Sequence, residues 1–250
     1  MYKEFNSDLS QLDIFDSGSE SDIYLDQNRI LKYFKRLNYF GYEKMAKKYE
    51  KLKILKSLNL DFHPDIYDFF HLSKFHENWF IAYTMQYLDH NKLNKEYLAS
   101  LNFDQKKELI LIIYKHLLEE IKYNIYNLDI KLSNYYMSQA NKLYSLDLDN
   151  FNVGPLTAEI LPTPIRTYSQ NYNVTSCDNL QDVAFTIFTL EFLLKLDFSL
   201  LDIKKVETII YNSNFQLQLQ KLIFDLFAYQ NIDINELLTS LNEKSLKLVK

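Results

Sequence analysis

The chain is organised around residues 127–149, which read NLDIKLSNYYMSQANKLYSLDLD. An acidic and a basic side chain stand two positions apart near its start, at Asp129 and Lys131, and Asn134 follows three positions later. A tyrosine-rich segment then leads to Asp147, the first acid of the closing D-L-D triplet. The apolar pieces in between predict a short hairpin, which would bring Asn134 and Asp147 together.

These side chains suit phosphoryl transfer. That chemistry needs cations beside the negative charge of a triphosphate and a carboxylate that orients the attacking hydroxyl. Asp129 can serve as this catalytic carboxylate, and Lys131 can reach the transferred phosphate. Asn134 and Asp147 provide the hard oxygen ligands that Mg²⁺ prefers. The stretch therefore predicts an active centre that uses ATP and Mg²⁺.

Length and composition fit one large domain or two small lobes. The 250 residues are 47% hydrophobic with 3 Gly and 4 Pro, which argues against disorder. A net charge of −5 and few arginines give no basic field for nucleic acid. Cys177 is the only cysteine and no secretory signal is visible, so we expect a cytoplasmic protein. The most apolar run, Val183–Leu194, is too short to span a membrane.

The residue pattern predicts an α+β protein with a β-rich first third and a helical remainder. Residues 12–35 predict three strands joined by turns, and residues 42–58 predict a helix. Ile66–His71 and Trp79–Tyr87 predict a strand pair. We expect the boundary between the two parts near Leu88–Leu93.

The second part of the chain reads as helices around a central loop. Asp104 is expected to cap a long helix that ends at Lys122. Phe151–Tyr172 contains Gly154 and the last three prolines, and predicts a loop. Further helices are predicted at about 179–196, 203–212, 214–229 and 234–247.

These motifs resemble those of the eukaryotic-like protein kinase superfamily. Its catalytic loop has the form H-R-D-x-K-x-x-N, and a metal-binding D-F-G triplet follows a short hairpin. Here residues 127–134 (NLDIKLSN) fill the loop, and Asp147 lies 13 residues after Asn134. Lys131 is typical of the Ser/Thr-directed branch, so the resemblance implies a protein substrate with a Ser or Thr acceptor. It also implies a bilobal kinase-like domain.

The resemblance extends to the nucleotide-binding part of the chain. It implies a β-rich N-terminal lobe at 1–88 and a helical C-terminal lobe at 89–250. Residues 16–24 (DSGSESDIY) resemble the glycine-rich loop, and Lys32 takes the place of the lysine that binds the ATP phosphates. The helix at 42–58 should supply a glutamate that pairs with Lys32. The implied ATP-binding residues are Lys32, Glu50, Gly18, Ser19, Ile23, Met85, Gln86 and Leu88.

The partner of Lys32 on the helix stays open between two glutamates. Glu43 is the alternative to Glu50 as partner of Lys32. By resemblance, Asp182 is expected to hydrogen-bond the backbone of the catalytic loop.

Departures from the family pattern leave two alternative functions open. Asn127 and Leu128 stand where the family has His and Arg, and Leu148 and Asp149 replace Phe and Gly. These changes favour a pseudokinase that binds nucleotide and acts as a scaffold. The D-L-D triplet is also similar to that of small-molecule kinases of the aminoglycoside or choline type, which share the fold.

Overall fold

A computed structural model describes residues 3–4, 9–26, 28–35, 41–74, 77–158, 161–194 and 234–240. Its strands are β1 (Lys3–Glu4), β2 (Ile14–Ser17), β3 (Ser21–Asp26), β4 (Arg29–Phe34), β5 (Ile66–Lys74), β6 (Glu77–Gln86), β7 (Ile125–Tyr126), β8 (Tyr135–Met137), β9 (Leu143–Ser145) and β10 (Asn152–Val153). Its helices are α1 (Tyr42–Leu58), α2 (Lys95–Ser100), α3 (Phe103–Ile121), α4 (Thr163–Tyr172), α5 (Cys177–Leu194) and α6 (Ile234–Ser240). The protein is therefore mixed α+β, with its main sheet early in the chain and its helices mostly later.

The chain divides into two compact units. The first contains residues 1–93 and 133–159, and the second contains residues 94–132 and 160–250. This division differs from the lobes expected at 1–88 and 89–250 in two respects: residues 89–93 and, more importantly, residues 133–159 belong with the sheet. The reason is that the Ser145 N–H donates to the Phe62 carbonyl at 3.1 Å, and the turn that follows β9 packs against α1.

The sheet of the first unit has the strand order β1-β5-β6-β4-β3-β2. Strands β2 to β6 pair antiparallel, and β1 adds in parallel to β5. Alternating side chains of the central strands form a core cluster that includes Tyr24, Leu31, Trp79 and Ile81. Period-two alternation places such residues on one face, which confirms the strands predicted from the sequence.

Helix α1 has the predicted bounds and packs against this sheet. Its buried side chains include Met45, Leu52 and Leu55, which recur at helical spacing. Asn59 ends the helix in the left-handed conformation (φ 48°), and its N–H donates to the Leu55 carbonyl at 3.2 Å.

The second unit holds helices α2 to α6. A capping box at Asn102 and Gln105 starts α3, so the expectation of an Asp104 cap is wrong by two residues. The predicted loop at Phe151–Tyr172 is also wrong in its second half, because α4 begins at Thr163. Pro164 occupies the second helical position, where its missing N–H leaves no hydrogen bond unmade.

Two of the predicted helices, at 203–212 and 214–229, lie outside the described residues, as does the second half of the helix predicted at 234–247. Among the helices that are described, none has both the length and the apolar character needed to cross a bilayer.

Candidate functional site

Lys32 lies at the centre of an ionic network in the first unit. It sits on β4, flanked in register by Ile23 of β3 and Tyr83 of β6, and is only 5% exposed. Its Nζ donates to Oδ1 of Asp147 and, at 2.6 Å, to Oδ1 of Asp149. These acids lie more than 110 residues further along the chain, so the fold itself assembles the contact.

Asp149 is a second member of the network, and its side chain is fully buried. Besides Lys32, it receives Nζ of Lys48 on its Oδ2 and the Tyr83 hydroxyl on its Oδ1 at 3.2 Å. Burial alone would raise the pKa of this carboxyl, but the two lysines reverse the effect and hold the pKa well below its usual range. Asp149 is therefore a carboxylate at every physiological pH.

The same carboxylates act on Lys32. Burial would lower the pKa of its ammonium, yet Asp149 and Asp147 raise the pKa well above its usual value. Lys32 therefore remains a cation inside the protein.

The network reaches the surface through Glu20, two residues after Gly18 in the turn between β2 and β3. Glu20 accepts from Lys44 and, at 3.3 Å, from Lys48. Burial raises the pKa of the Glu20 carboxyl, but the two lysines outweigh it and the net pKa is lowered. Glu20 is thus paired to α1 in this structure.

Gly18 occupies the turn expected to resemble the glycine-rich loop. Its N–H donates to the Ser21 carbonyl at 2.9 Å, and Lys35 holds the turn by donating to its carbonyl at 2.9 Å. A Cβ at Gly18 would lie 3.7 Å from the Ser21 carbonyl oxygen, an ordinary contact. The turn itself therefore does not require glycine. Ser19 is exposed and Ile23 is half-buried beside Lys32.

The structure does not bring Glu50 to Lys32. Glu50 is exposed on α1 and pairs at 2.7 Å with Lys53, while the alternative, Glu43, is exposed in the first turn of the helix. Successive side chains on a helix are rotated by about 100° about its axis. Glu50 therefore points about 200° away from Lys48, a residue of α1 that faces the sheet. The expected helix glutamate is replaced by a buried lysine.

Asn134 and Asp147 flank the β8–β9 hairpin, as the sequence predicted. Tyr135 pairs with Ser145 across the hairpin, and the Leu146 N–H donates to the Asn134 carbonyl at 2.8 Å. Asp147 then adopts the left-handed conformation with φ 59°, which is unusual for a residue other than glycine or asparagine. The hairpin thus brings the backbones of Asn134 and Asp147 to the same end.

Asp147 and Asn134 at this end of the hairpin carry oxygen ligands of the kind that Mg²⁺ binds. The Asp147 side chain is 28% exposed, and its Oδ2 accepts from Asn150 Nδ2 at 2.7 Å. Each carboxylate oxygen has two acceptor positions, so Asp147 keeps capacity for a metal beside its bonds to Lys32 and Asn150. Within the described part of the chain, no three His, Cys, Asp or Glu side chains form a metal-binding group. A metal here would therefore use Asp147, the Asn134 amide and phosphate oxygens or water, which is the usual manner of Mg²⁺ binding.

The segment expected to face adenine lies at the end of β6. Met85 is buried and pairs with Ile30 and Ile66. The Gln86 N–H donates to the Asp65 carbonyl at 2.8 Å, so this donor serves the fold. Leu88 follows β6 and is half-buried.

Asp129 and Lys131 lie in the second unit, and they contact each other. Lys131 Nζ donates to Asp129 Oδ2 at 2.7 Å, with side chains 53% and 34% exposed. The Asp129 N–H donates to the Asn127 side chain at 3.1 Å, which fixes the backbone at the start of the loop. The Asp129 carboxylate thus stays accessible to solvent.

The backbone hydrogen bond predicted for Asp182 is made instead by its neighbour, Gln181. The Asn127 N–H donates at 2.9 Å to Oε1 of Gln181, which is 2% exposed at the start of α5. The residue that supports the backbone at Asn127 is therefore a neutral amide. Burial, together with Asp178, raises the pKa of the Asp182 carboxyl to about 6.

Sequence reasoning missed Lys48, although a signal for it existed. The buried residues of α1 are Met45, Lys48, Lys51, Leu52 and Leu55, so two lysines interrupt an otherwise apolar series. A lysine on such a stripe indicates a buried acid as partner. Which acid it is depends on a contact 101 residues away.

Comparison with known proteins gives no relative from which to transfer a role. No protein family model matches the chain, and no curated protein matches it at a significant level.

Proposed function

We propose that this chain is an ATP- and Mg²⁺-dependent phosphotransferase, a divergent protein Ser/Thr kinase of the bilobal kinase-like fold. One observation carries the proposal. A buried lysine of the sheet, Lys32, contacts Asp147 at the end of the hairpin that begins at Asn134. Phosphoryl transfer needs such a cation beside oxygen ligands for a metal.

Each residue has a role that its chemistry supports. Lys32 offsets the charge of the ATP phosphates, and Lys131 does so for the transferred group. Asp129 accepts the proton of the attacking Ser or Thr hydroxyl, a role that suits an accessible carboxylate. Asn134 and Asp147 would hold Mg²⁺, which supplies positive charge to the phosphates when bound.

Two of the alternatives can be ranked from the structure. Asp149 has both carboxylate oxygens bonded to buried lysines, so it is poorly placed as the second metal ligand of a small-molecule kinase. The direct bond between Lys32 and Asp147 is compatible with both the proposed kinase and the other alternative, a nucleotide-binding scaffold without transfer activity, so transfer itself has to be measured.

The experiment measures transfer and binding together. Purified protein is incubated with γ-labelled ATP, Mg²⁺ and a mixture of proteins, and Mg-ATP affinity is measured separately by calorimetry. We compare wild type with Asp129→Asn and Asp147→Asn. As matched control we use Asp61→Asn, since Asp61 is 83% exposed in the first unit.

The proposal expects protein labelling by wild type and by the control. Asp129→Asn should lower the rate about 10²- to 10⁴-fold with unchanged ATP affinity, as expected for loss of a general base. Asp147→Asn should weaken Mg-ATP binding and transfer together. Saturable binding without any transfer indicates the scaffold, ATP consumption without protein labelling indicates a small acceptor, and absence of both binding and transfer overturns the proposal.

A further inference from the structure

The network around Lys32 links three separate segments of the first unit. Lys32 comes from β4, Lys48 comes from α1, and Asp149 comes from the 3-10 turn after β9. Asp149 is the shared partner: one of its oxygens takes Lys32 and the other takes Lys48. The orientation of its carboxylate is thus set from both sides.

Lys48 is held as firmly as Asp149. Its side chain is fully buried, and its Nζ also donates to the Asn150 side chain at 2.8 Å. Asn150 in turn donates to Asp147 at 2.7 Å, which completes a closed ring of contacts that includes Lys32. A long lysine side chain loses much rotamer freedom in such a site, so its position depends on the partners that hold it.

The bond to Asp149 distinguishes Lys48 from the other buried lysine of α1, Lys51. Removing Lys48 would leave Asp149 with the Lys32 ammonium and the Tyr83 hydroxyl alone. The carboxylate of Asp149 could then rotate, and the Lys32 ammonium that it holds would move with it. Lys51, one turn further along α1, is equally buried, but neither Asp149 oxygen is bonded to it.

We propose that Asp149 is the positioning residue for Lys32 and that Lys48 acts on Lys32 through Asp149. The carboxylate that orients the phosphate-binding lysine thus comes from the turn after the hairpin, and α1 contributes a cation to it. This inference rests on the proposed function for its consequence in ATP binding, but the coupling itself is a property of the protein alone.

The coupling is tested without nucleotide by NMR of lysine ammonium groups. Buried, ion-paired Nζ groups exchange slowly and give separate signals, and Lys32→Arg identifies the signal of Lys32. We compare Lys48→Met, Lys48→Arg and Asp149→Asn with Lys51→Met, which removes an equally buried lysine from the same helix. Thermal melting of each variant shows that it is folded at the temperature used.

Asp149→Asn and Lys48→Met should both shift or broaden the Lys32 signal, Lys48→Arg should restore it, and Lys51→Met should leave it unchanged. An unchanged Lys32 signal in folded Lys48→Met overturns the inference, whether or not the protein binds nucleotide. A similar change in Lys51→Met overturns it too, because the effect would then be one of general packing.

Mg-ATP affinity then separates this inference from the proposed function. Lys48→Met and Asp149→Asn should each raise Kd about tenfold, since each loosens a charged hydrogen bond. The double variant should bind no more weakly than either single variant, because the two residues act in series. A wild type that binds no Mg-ATP refutes the proposed function alone, and additive effects on Kd refute the series from Lys48 to Lys32.

Discussion

Asp149 in the first unit and Asp182 in the second are both acids withdrawn from solvent, yet their pKa values move in opposite directions. Lys32 and Lys48 hold the pKa of Asp149 well below its usual range. Burial and the nearby carboxylate of Asp178 raise the pKa of Asp182 to about 6. Burial opposes ionisation in both places, and the presence of cations decides the outcome.

The two units use buried polar groups in different ways. The first unit assembles charged groups from distant parts of the chain and keeps them ionised by pairing each with an opposite charge. Where the second unit needs a buried acceptor, for the Asn127 N–H, it uses the neutral Gln181. An amide satisfies a backbone donor without a counter-ion, so α5 needs no lysine at this point.

Removing Asp149 should cause the largest loss in the free energy of unfolding. Asp149→Ala leaves Lys32 and Lys48 buried without their shared partner, and breaking a buried ion pair in this way costs about 3–5 kcal/mol. Urea denaturation measures the loss in the free energy of unfolding. Asp61→Ala is the control, because Asp61 is 83% exposed in its pair with Lys142 and should change stability by less than about 1 kcal/mol.

Equal losses in the two variants would contradict this expectation. They would mean that water reaches the lysines once Asp149 is removed, so that the network carries little stability.

Much of the fold could be predicted from the sequence because its signals are local. The bounds of α1 and the positions of the early strands follow from periodicity and turn residues close in sequence. The β8–β9 hairpin is local as well, and it brings Asn134 to the predicted end beside Leu146. These elements need no knowledge of distant contacts.

The candidate site was harder to predict because its partners are distant in sequence. Glu50 was chosen by resemblance to a family pattern, but the helical period turns it away from Lys48, which occupies the inward position. Asp149 is 101 residues from Lys48, and no local pattern joins them. Likewise, a shift of one position on α5 decides between Gln181 and Asp182, which is finer than a sequence pattern resolves.

A smaller effect is expected from Gln181, the neutral acceptor beside Asp182. Gln181→Leu keeps a side chain of similar size but leaves the buried Asn127 N–H without its acceptor, which costs about 1–3 kcal/mol. Urea denaturation again measures the change. Gln139→Leu, in the exposed turn between β8 and β9, serves as control and should stay within about 0.5 kcal/mol. A loss no larger than that of the control would show that water replaces the amide.

The smallest effect concerns Asp182 itself and appears as a pH dependence. A carboxyl whose pKa is higher in the folded than in the unfolded state binds its proton more tightly when folded. Its stabilising contribution is therefore complete below the usual pKa of 3.8 and is lost as the pH rises through about 6. Asp182→Asn cannot lose a proton, so it should be more stable than wild type at pH 7 by about 1 kcal/mol, a figure reduced because solvent reaches this half-buried side chain.

Urea denaturation of wild type, Asp182→Asn and Asp149→Asn from pH 3 to pH 7 tests this. The difference in the free energy of unfolding should be small at pH 4 and grow up to about pH 6, since other titrating groups cancel between the two proteins. Asp149→Asn should behave in the opposite way: at pH 7 it lacks the ion pairs and is less stable than wild type, and the gap narrows as acid protonates Asp149 of unfolded wild type below the usual pKa of 3.8. Two parallel curves for Asp182→Asn and wild type would mean that Asp182 ionises normally, and the contrast between the two acids would then rest on the lysines of the first unit alone.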